Sequence, residues 1–586
     1  MNIPANKGVA LVVFGNEFPR TEEKFDVVIA NKKFEENMRA LGSRFIDFEN
    51  LVEPGSVYEA GAFLDELSRL KFSDGTHVAT SSSYQGFELW WAHYNALFQH
   101  FCIPYTQYKK LLLSLEGYQR VYVYDSPYKM LFAYYLEAHG VEMVILKTSG
   151  LRSPVPLGVF LQILITILSL PVLAVLRRPI TVFIGDKFEK NKDYDFRMGL
   201  MYEELRRRDV PFAECIRSLE TWSVVLQNAF VRRRPVIYSE AVVFLGRFLS
   251  HLSGGRLRAK RECIAWMGAS PRDPDERFKL LVATHYLQTV SDDIWAIRIM
   301  KWTLWFIGAR AGLFTAVLER NFHAALGCKL NALPTVGIQH GVASRYSTPY
   351  DFLTGFDGGK MFSVDIYGVW SEWWKEYYLK NSNAYKPEQL YVSGPMRPLG
   401  AEHGVRAPDP RSRTTRVLFI SEQTAAPSEV MPYLRELFRH SDIRLTIKFR
   451  PFRDGFEDWL RMHEPDIFER KDVQIVKGGM QETIAEADVV VGLRSTGVLE
   501  SLLQFKIPIF IYTHKWGDYY GMNASEDTRA LFSESPTDLP GKIKNTKNIS
   551  AELLESLRER YFGDQNRNGS VWAIEQLVRL LRTRYP

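Results

Sequence analysis

The chain has 586 residues, of which 46% are hydrophobic and 24% are charged. These values are typical of globular proteins and exclude a disordered or fibrous chain. The 74 basic and 68 acidic residues give a net charge of +6, which is too small to indicate nucleic-acid binding. The length predicts several domain-sized units.

The cysteine pattern argues against two kinds of site. The four cysteines are far apart and include no Cys-x-x-Cys pair, so we expect neither a disulfide framework nor a zinc site. A reducing compartment fits this pattern. The four are Cys102, Cys215, Cys263 and Cys328.

Residues 1–150 are predicted to form an α/β region, either as a separate domain or as the first strands of an enlarged acceptor-side domain. The first strand is Val9–Phe14, and it lacks the basic start and long apolar run of a secretory signal. A later strand, Arg120–Asp125, is followed by a helical pattern, and this alternation indicates a parallel sheet covered by helices. Between them, Phe87–Leu115 is predicted as a long helical stretch broken near Pro104.

Residues 151–178 are interpreted as an apolar, membrane-associated segment. Ser153–Leu176 carry no charge, and by length alone they fit a membrane span. The proline-free part, Leu157–Leu170, has 14 residues. As a helix it measures about 21 Å, which is less than a hydrocarbon core of about 30 Å. We therefore favour an interfacial helix or a shallow hairpin, with a buried core helix and a true span as alternatives.

Basic runs elsewhere in the chain suit contact with anionic lipid headgroups. They are Arg206–Arg208, Arg232–Arg234 and Arg256–Arg261. Taken singly, each run also fits a solvated helix end.

Residues 179–400 and 401–586 are predicted to form two further doubly wound α/β domains. Strand and helix patterns alternate in both segments, as in Rossmann-like sheets. Thr303–Gly308 is predicted as a strand, and Ala311–Leu326 as the helix that follows it. The charged, proline-bearing stretch Glu402–Arg413 is the predicted linker.

Ligands of doubly wound sheets bind beyond the carboxyl ends of the strands, and the turn after the strand ADVVVGL is the first candidate. The turn consists of Arg494, Ser495, Thr496 and Gly497. A capping Ser or Thr presents backbone N–H groups and the positive end of the helix dipole to an anion. We expect a nucleotide phosphate here, with charge from Arg494 and a ribose contact from Glu500. A plain helix cap is the alternative.

Two further strand ends are candidate sites: one is followed by a histidine and the other by two cations. His340, between Gln339 and Gly341 after the strand TVGI, is placed for proton transfer. Lys448 and Arg450 follow the strand RLTI, and two cations at a strand end suit a phosphate. The alternatives are a structural histidine and a solvated strand end.

Three carboxylates are candidates for the general base that removes the acceptor proton. They are Asp125, Asp186 and Glu240. Glu240 ranks first because it is in the half of the chain nearest the His340 unit. Helix capping is the alternative for each of them.

Several motifs are absent from the sequence. It contains no GxxxxGK[ST] loop, HExxH or GxSxG motif, and no clustered metal ligands. Asp273–Asp275 is better explained as a helix cap than as a metal site. We therefore expect neither a metal nor a cofactor beyond a nucleotide-sugar substrate.

Several segments together resemble bacterial surface-carbohydrate glycosyltransferases of the GT-B fold. LGCKLNALPTVGIQHG, IYGVWSEWWKEYY and LYVSGPMRP resemble the N-terminal domain of that family. RSTGVLESLLQFKIPIFIY resembles its donor-binding segment, and RERYFGDQNRNGSVWAIEQLV its closing segment. The group is similar to capsule Kdo transferases, polysialyltransferases and teichoic-acid glycerophosphotransferases. The likeness covers residues 300–586 well, 179–300 loosely and 1–150 not obviously.

The resemblance implies roles for particular residues. His340 would act as base or donor contact, while Ser495 and Thr496 would bind the donor phosphate. One departure is clear: relatives commonly carry a K-x-H-P segment, and here Arg450 replaces the histidine. Arginine can hold a phosphate through two hydrogen bonds but cannot act as an acid near neutral pH.

The sequence therefore predicts a metal-independent glycosyltransferase with two Rossmann-like domains facing a cleft. It would move a sugar from a nucleotide sugar to a glycan or lipid-linked glycan acceptor, at the cytoplasmic face of a membrane. The alternatives are a nucleotide-sugar epimerase and a non-catalytic polysaccharide-assembly protein. The apolar segment argues against an epimerase of soluble sugars.

Overall fold

The structure is a computed structural model, and it describes most but not all of the chain. The described ranges are 8–146, 157–177, 180–184, 198–216, 225–226, 235–267, 273–314, 322–342, 352–396, 414–422, 426–450 and 455–584, without residues 16, 20, 22, 41, 42 and 362. The predicted linker Glu402–Arg413, the basic run Arg232–Arg234 and the carboxylate Asp186 lie outside the described residues.

The N-terminal region contains a parallel sheet covered by helices. Its strands are β1 (Val9–Val13), β2 (Val27–Ala30), β3 (Arg44–Asp47), β6 (Arg120–Tyr124) and β7 (Glu142–Leu146), and a separate short pair is β4 (Ser83–Tyr84) and β5 (Phe87–Glu88). Its helices are α1 (Glu35–Ala40), α2 (Val57–Arg69), α3 (Tyr94–Leu97), α4 (Ile103–Ser114) and α5 (Lys129–Ala138). The spatial order β3–β2–β1–β6–β7 reverses direction at β1, which makes this a doubly wound sheet.

The long helical stretch of this region is interrupted close to the expected proline. A 3-10 segment, Leu89–His93, leads into α3, and a π-helical turn over Phe98–Cys102 joins α3 to α4. Pro104 lies in the first turn of α4. Proline has no N–H to donate, so the backbone hydrogen bonds change pattern just before it.

The middle region contains a second, seven-stranded parallel sheet. Its strands are β8 (Ile180–Ile184), β9 (Phe212–Ile216), β10 (Val236–Tyr238), β11 (Ala311–Phe314), β12 (Thr335–Ile338), β13 (Ile366–Val369) and β14 (Leu390–Val392). Its helices are α6 (Leu157–Leu176), α7 (Gly199–Arg207), α8 (Ser239–Leu252), α9 (Gly255–Met267), α10 (Pro274–Leu287), α11 (Val290–Phe306), α12 (Phe322–Leu330) and α13 (Glu372–Asn381). The order is β10–β9–β8–β11–β12–β13–β14.

The predicted strand Thr303–Gly308 is wrong. Most of this apolar run is the last part of α11, which ends at Phe306; Gly308, directly after the C-cap Ile307, has a φ of 67°, the left-handed conformation that closes many helices. The strand is β11, at the start of the segment predicted as a helix, and the following helix is α12. Short apolar runs do not distinguish a buried strand from a buried helix by periodicity, so the two were exchanged.

Helix α6 lies along the edge of the middle sheet. The hydroxyl of Ser169 accepts a hydrogen bond from the Val236 N–H at 3.1 Å, and that of Thr166 accepts one from the Tyr238 N–H at 3.0 Å. The two hydroxyls therefore pair with backbone donors of the edge strand β10 that no other strand meets. Among the described residues, Gly158–Leu176 is the one helical stretch long and apolar enough to cross a membrane by length and composition.

The C-terminal region contains the third parallel sheet, of six strands. They are β15 (Thr415–Ile420), β16 (Ile443–Phe449), β17 (Val473–Lys477), β18 (Val489–Gly492), β19 (Ile507–Ile511) and β20 (Phe532–Ser533). The helices are α14 (Pro427–Leu437), α15 (Gly455–His463), α16 (Met480–Glu486), α17 (Thr496–Glu500), α18 (Glu526–Arg529), α19 (Leu539–Asn545), α20 (Ala551–Phe562) and α21 (Gly569–Arg584). The order β17–β16–β15–β18–β19–β20 is again doubly wound.

The last helix returns from the third sheet to the second. Ala573, Ile574 and Leu577 of α21 are buried in the same apolar core as strands of the middle sheet. The Ser570 hydroxyl donates to the Met396 carbonyl at 2.7 Å. Two doubly wound domains joined by such a returning helix form the GT-B arrangement, and this confirms the predicted fold class.

Candidate functional site

The turn after β18 is built around the side chain of Ser495. This hydroxyl caps α17 by accepting the Gly497 N–H at 3.2 Å. The α-helical part begins at Thr496, and after five residues it continues as a 3-10 turn over Ser501–Gln504. Because the helix is this short, its dipole is small, and side-chain charge has more weight at this turn.

A buried carboxylate that the sequence analysis did not single out lies directly behind the turn. Glu422, two residues after β15, accepts the Arg494 N–H at 2.7 Å and also a hydrogen bond from the Ser495 N–H. Burial raises the pKa of this carboxyl, against the opposing effect of these N–H groups and of Arg494 and Arg450. Two backbone donors of the turn are therefore already satisfied within the protein, which leaves side chains as the main groups for an anion.

Arg494 is held by the loop after β19 that carries Trp516, Tyr519 and Tyr520, which we call the aromatic loop. The guanidinium carbon of Arg494 lies 3.9 Å from the centre of the Trp516 ring and 5.8 Å from that of Tyr519. The Tyr520 hydroxyl donates to the Arg494 carbonyl at 2.8 Å. The two rings and an ion pair of Nε with the Glu422 carboxylate at 3.4 Å hold the guanidinium, while the Tyr520 hydroxyl holds the backbone of the same residue.

The loop that carries His340 meets this turn from the middle domain. The Tyr519 hydroxyl donates to the Val342 carbonyl at 3.1 Å. A Cβ atom placed on Gly341 would lie 3.5 Å from the Thr496 hydroxyl oxygen. The carboxyl ends of β12 and β18 therefore face each other, and the structure brings the half-buried His340 into the same region as Arg494–Gly497.

Gln339 anchors the histidine loop to its own sheet. Its N–H donates to the Gly368 carbonyl at 2.8 Å, and its side-chain oxygen accepts the Trp370 N–H at 3.1 Å. The Trp370 indole N–H donates to the Gln339 carbonyl at 2.7 Å. The side-chain nitrogen of Gln339 is buried and has no hydrogen-bond partner among the described residues.

The two cations of the RLTI strand end have different surroundings. Lys448 is buried and donates to the Gly478 carbonyl at 2.6 Å, and burial lowers its pKa. Arg450 is exposed and acts electrostatically on Glu422. Arg450 therefore belongs with Arg494 to a cluster of charged side chains around the turn Arg494–Gly497. Lys448 instead supports the turn at Gly478, after β17.

Lys515 is a third cation of this cluster, and sequence reasoning missed it. Burial lowers its pKa, nearby Arg494 lowers it further, and Glu429 and Glu422 act in the opposite direction. Glu429 accepts the Lys515 N–H at 3.2 Å. In the sequence, the only sign of this role was that Lys515 is a cation shortly after the strand IPIFI, which is β19.

The remaining candidate carboxylates are not among the groups that hold the turn: Glu500 ends the short helix that Thr496 begins, and Glu240 and Asp125 follow strands of the other two sheets. Glu500 accepts a hydrogen bond at 3.1 Å from Gln481, one turn into the helix. Glu240 lies in the first turn of α8, after the edge strand β10. Three strands separate β10 from β12, which places Glu240 roughly 19 Å from the His340 strand end. Asp125 follows β6 of the N-terminal sheet.

The N-terminal domain also contacts the aromatic loop. The Tyr58 hydroxyl donates to the Trp516 carbonyl at 2.9 Å, and the Val57 N–H donates to the Lys515 carbonyl at 3.0 Å. Loop residues that support Arg494 are therefore held by all three domains. Among the described residues, no group of three or more His, Cys, Asp or Glu side chains is arranged to hold a metal ion.

Sequence comparisons do not identify a family. No protein-family model matches the chain, and no curated protein matches it significantly. The predicted membership of a glycosyltransferase family therefore has no sequence-level support beyond the motifs themselves.

Solved structures with a similar arrangement are enzymes of nucleotide sugars. MnaA of S. aureus with UDP has 9% identity and a TM-score of 0.41 over 69% of this chain and 98% of that one. The UDP-GlcNAc 2-epimerase from Neisseria meningitidis bound to UDP-GlcNAc has 10% identity and a TM-score of 0.41, over 68% and 99%. Anabaena Alr3699/HepE with UDP and glucose has 10% identity and a TM-score of 0.39, over 69% and 100%. At these scores, functional argument rests on the residues of this chain.

Proposed function

We propose that the protein transfers a sugar, or a sugar-like unit, from a nucleotide-activated donor to a glycan or lipid-linked glycan acceptor. The observation that supports this proposal is the meeting of the Thr496 hydroxyl with the His340–Gly341 loop, beside a cluster of three cations. Arg450, Arg494 and Lys515 form that cluster, and a diphosphate or phosphate is the anion whose charge they suit.

In this proposal the C-terminal domain binds the donor. Arg494 and Arg450 contact its phosphate oxygens, and the Thr496 hydroxyl contributes a neutral donor. As the bond to the nucleotide breaks, negative charge develops on the leaving phosphate, and fixed cations stabilise that charge. The low pKa of Lys515 rises when the phosphate binds, because an anion favours its protonated form.

His340 is proposed as the base on the opposite side. An imidazole takes a proton near neutral pH, which suits removal of the acceptor hydroxyl proton as the new bond forms. Its neighbour Gly341 has no side chain, which lets the His340 loop lie close to the Thr496 hydroxyl. Glu240 has a weaker claim to this role, because its strand end is remote from the cluster.

A nucleotide-sugar epimerase is the second candidate, and the Neisseria meningitidis structure described above is a UDP-GlcNAc 2-epimerase. The two reactions differ in the bond to hydrogen that breaks. Epimerisation at a sugar carbon breaks a C–H bond and returns a proton from solvent, whereas glycosyl transfer takes a proton from an acceptor hydroxyl and leaves the sugar C–H bonds intact.

Product analysis in deuterated water separates the two candidates. The protein is incubated with a nucleotide sugar that it binds, with and without a membrane glycolipid extract. We expect release of the nucleotide that depends on the extract, with no deuterium on the sugar carbons. Deuterium incorporation and an isomerised nucleotide sugar without extract would instead establish an epimerase.

A further inference from the structure

Helix α6 buries its polar side chains and exposes apolar ones, which is the reverse of the pattern of a surface helix in a soluble protein. Three of its polar side chains, Gln162, Thr166 and Ser169, are 1%, 5% and 6% exposed and face the edge of the middle sheet. The opposite stripe is apolar and exposed. It consists of Phe160, Leu164, Ile167, Leu168, Val172, Val175 and Leu176. The spacing of three and four residues puts these side chains on one face of the helix.

The hydrogen bonds to β10 restrict what this face can contact. A helix that crossed a bilayer here would bring the sheet edge bonded to it, with its polar backbone groups, into hydrocarbon, where such groups find no water. Because Thr166 and Ser169 are bonded to that edge, α6 lies along the surface of its domain. The apolar stripe therefore faces outward from the domain, on the side of α6 opposite the sheet, along the whole length of the helix.

Neighbouring helices extend the apolar surface. Helix α6 packs against α8, with the rings of Phe160 and Phe244 5.8 Å apart, and α8 packs along α11. Helix α9 packs against both α8 and α11. Each contributes large exposed apolar side chains: Phe248 and Leu252 from α8, Leu257 and Ile264 from α9, and Trp302, Trp305 and Phe306 from α11. The exposed apolar side chains therefore belong to helices that pack against one another, and monomeric soluble proteins rarely expose large apolar patches without a partner.

The charged residues of the same helices are mainly basic. Arg258, Lys260 and Arg261 are exposed on α9 between its exposed Leu257 and Ile264, and one exposed acid, Glu262, follows them. Arg247 on α8 and Arg177 directly after α6 are also exposed. Exposed tryptophans beside basic side chains are typical of surfaces at the level of lipid headgroups.

We propose that α6, α8, α9 and α11 form a docking face for an anionic phospholipid bilayer. In this position α6 lies parallel to the membrane plane, with its apolar stripe at the boundary between headgroups and acyl chains. The basic side chains contact lipid phosphates. The bilayer is favoured over a second copy of the chain, because the basic groups of two copies would face each other across a dimer interface.

Vesicle flotation of the full chain tests the proposal. The vesicles are phosphatidylcholine alone, or phosphatidylcholine mixed with phosphatidylglycerol. We expect binding that is stronger to the anionic vesicles and is weakened by salt. Leu168→Asp with Val175→Asp should reduce partition on the order of hundredfold, because two apolar side chains leave the interface and two like charges enter it.

A matched control distinguishes this effect from a general one. Met462→Asp replaces an exposed apolar side chain on α15 of the C-terminal domain and should leave partition unchanged. Arg258→Gln with Lys260→Gln and Arg261→Gln should remove the preference for anionic vesicles and retain the weaker binding to neutral ones.

Three outcomes would overturn the proposal. Native protein that stays soluble and unbound to both kinds of vesicle excludes a membrane face. A concentration-dependent dimer in detergent-free buffer, abolished by the double aspartate variant, would assign the face to a second copy. A large fall in melting temperature for that variant, absent in Met462→Asp, would show that the stripe is buried in the protein's own packing.

Discussion

At the scale of single residues, Glu422 determines which groups of the turn Arg494–Gly497 are available to a ligand. Its carboxyl is buried behind the turn and accepts two of the backbone N–H groups that an anion would otherwise use. The cluster therefore combines three cations with a buried acid, and its charge depends on the protonation of that acid.

The pH dependence of stability reports on Glu422. The pKa of its carboxyl is raised in the folded state, so the folded protein binds the proton more tightly than the unfolded chain does. The stabilisation by the protonated form is present below pH 4.5, the ordinary value, and is lost as the pH rises through the higher folded pKa. Glu422→Gln cannot ionise and keeps an acceptor for the Arg494 N–H.

We therefore expect the melting temperature of Glu422→Gln, relative to that of the wild type, to increase as the pH rises from acid to neutral. Thermal unfolding of both proteins across this range measures the difference. A difference that is constant or shrinks with rising pH would contradict the assigned environment of Glu422.

Arg494 is the residue of the cluster whose role depends on the planar shape of its guanidinium as well as on its charge. Arg494→Lys keeps the positive charge but loses the flat guanidinium that stacks on Trp516 and forks to two acceptors. We expect nucleotide affinity to fall about tenfold or more, measured by calorimetry. Arg470→Lys, which also removes a guanidinium stacked on a ring, Phe438, should not change affinity. Equal affinity of Arg494→Lys and wild type would remove Arg494 from the donor site.

Residue-level prediction from the sequence was uneven for physical reasons. The turn Arg494–Gly497 and the His340 loop were found because each follows an apolar strand directly. Glu422 and Lys515 also follow strands, but a single charged residue after a strand is common and gives no sign of burial or of a partner. Their significance comes from long-range contacts that only the fold creates.

At the scale of elements, the hydroxyls of α6 hold the edge of the middle sheet. Replacing Thr166 by Val and Ser169 by Ala leaves two buried N–H groups of β10 without an acceptor. We expect a loss of about 2 kcal/mol or more in the local stability of Val236–Tyr238, measured by hydrogen exchange. Thr166→Ser keeps the hydroxyl and should retain most of that protection. Unchanged exchange in the double variant would mean that α6 does not support the sheet edge.

The elements themselves were largely predictable, and the main exception is instructive. Parallel strands buried on both faces are continuous apolar runs, and helix α11 ends in a run of the same kind, TLWFIG. This helix end lacks the polar face that marks a surface helix, because even its exposed positions, Trp302, Trp305 and Phe306, are apolar. Its apolar run therefore looks like a buried strand, and this caused the exchange of helix and strand.

At the scale of the whole molecule, the aromatic loop couples the N-terminal domain to the cluster. Gly517 has a φ of 56°, and a Cβ atom there would lie 2.5 Å from the Tyr58 ring. We expect Gly517→Ala to displace the loop, remove Trp516 from Arg494 and weaken nucleotide binding several-fold. Gly541→Ala, where a Cβ atom meets nothing within 4 Å, is the control for calorimetry. Unchanged affinity of Gly517→Ala would show that the N-terminal domain does not influence the site.

Nucleotide binding by the intact protein tests the central claim most directly. Melting temperatures are measured with a panel of nucleoside mono- and diphosphates, since a ligand that binds the folded state raises apparent stability. We expect at least one nucleotide to stabilise the wild type and Arg444→Gln, which alters the opposite end of strand β16. The same nucleotide should have little effect on Arg450→Gln with Thr496→Val. Equal stabilisation of all three proteins would contradict phosphate binding at this turn, and no stabilisation of the wild type by any nucleotide would contradict the account as a whole.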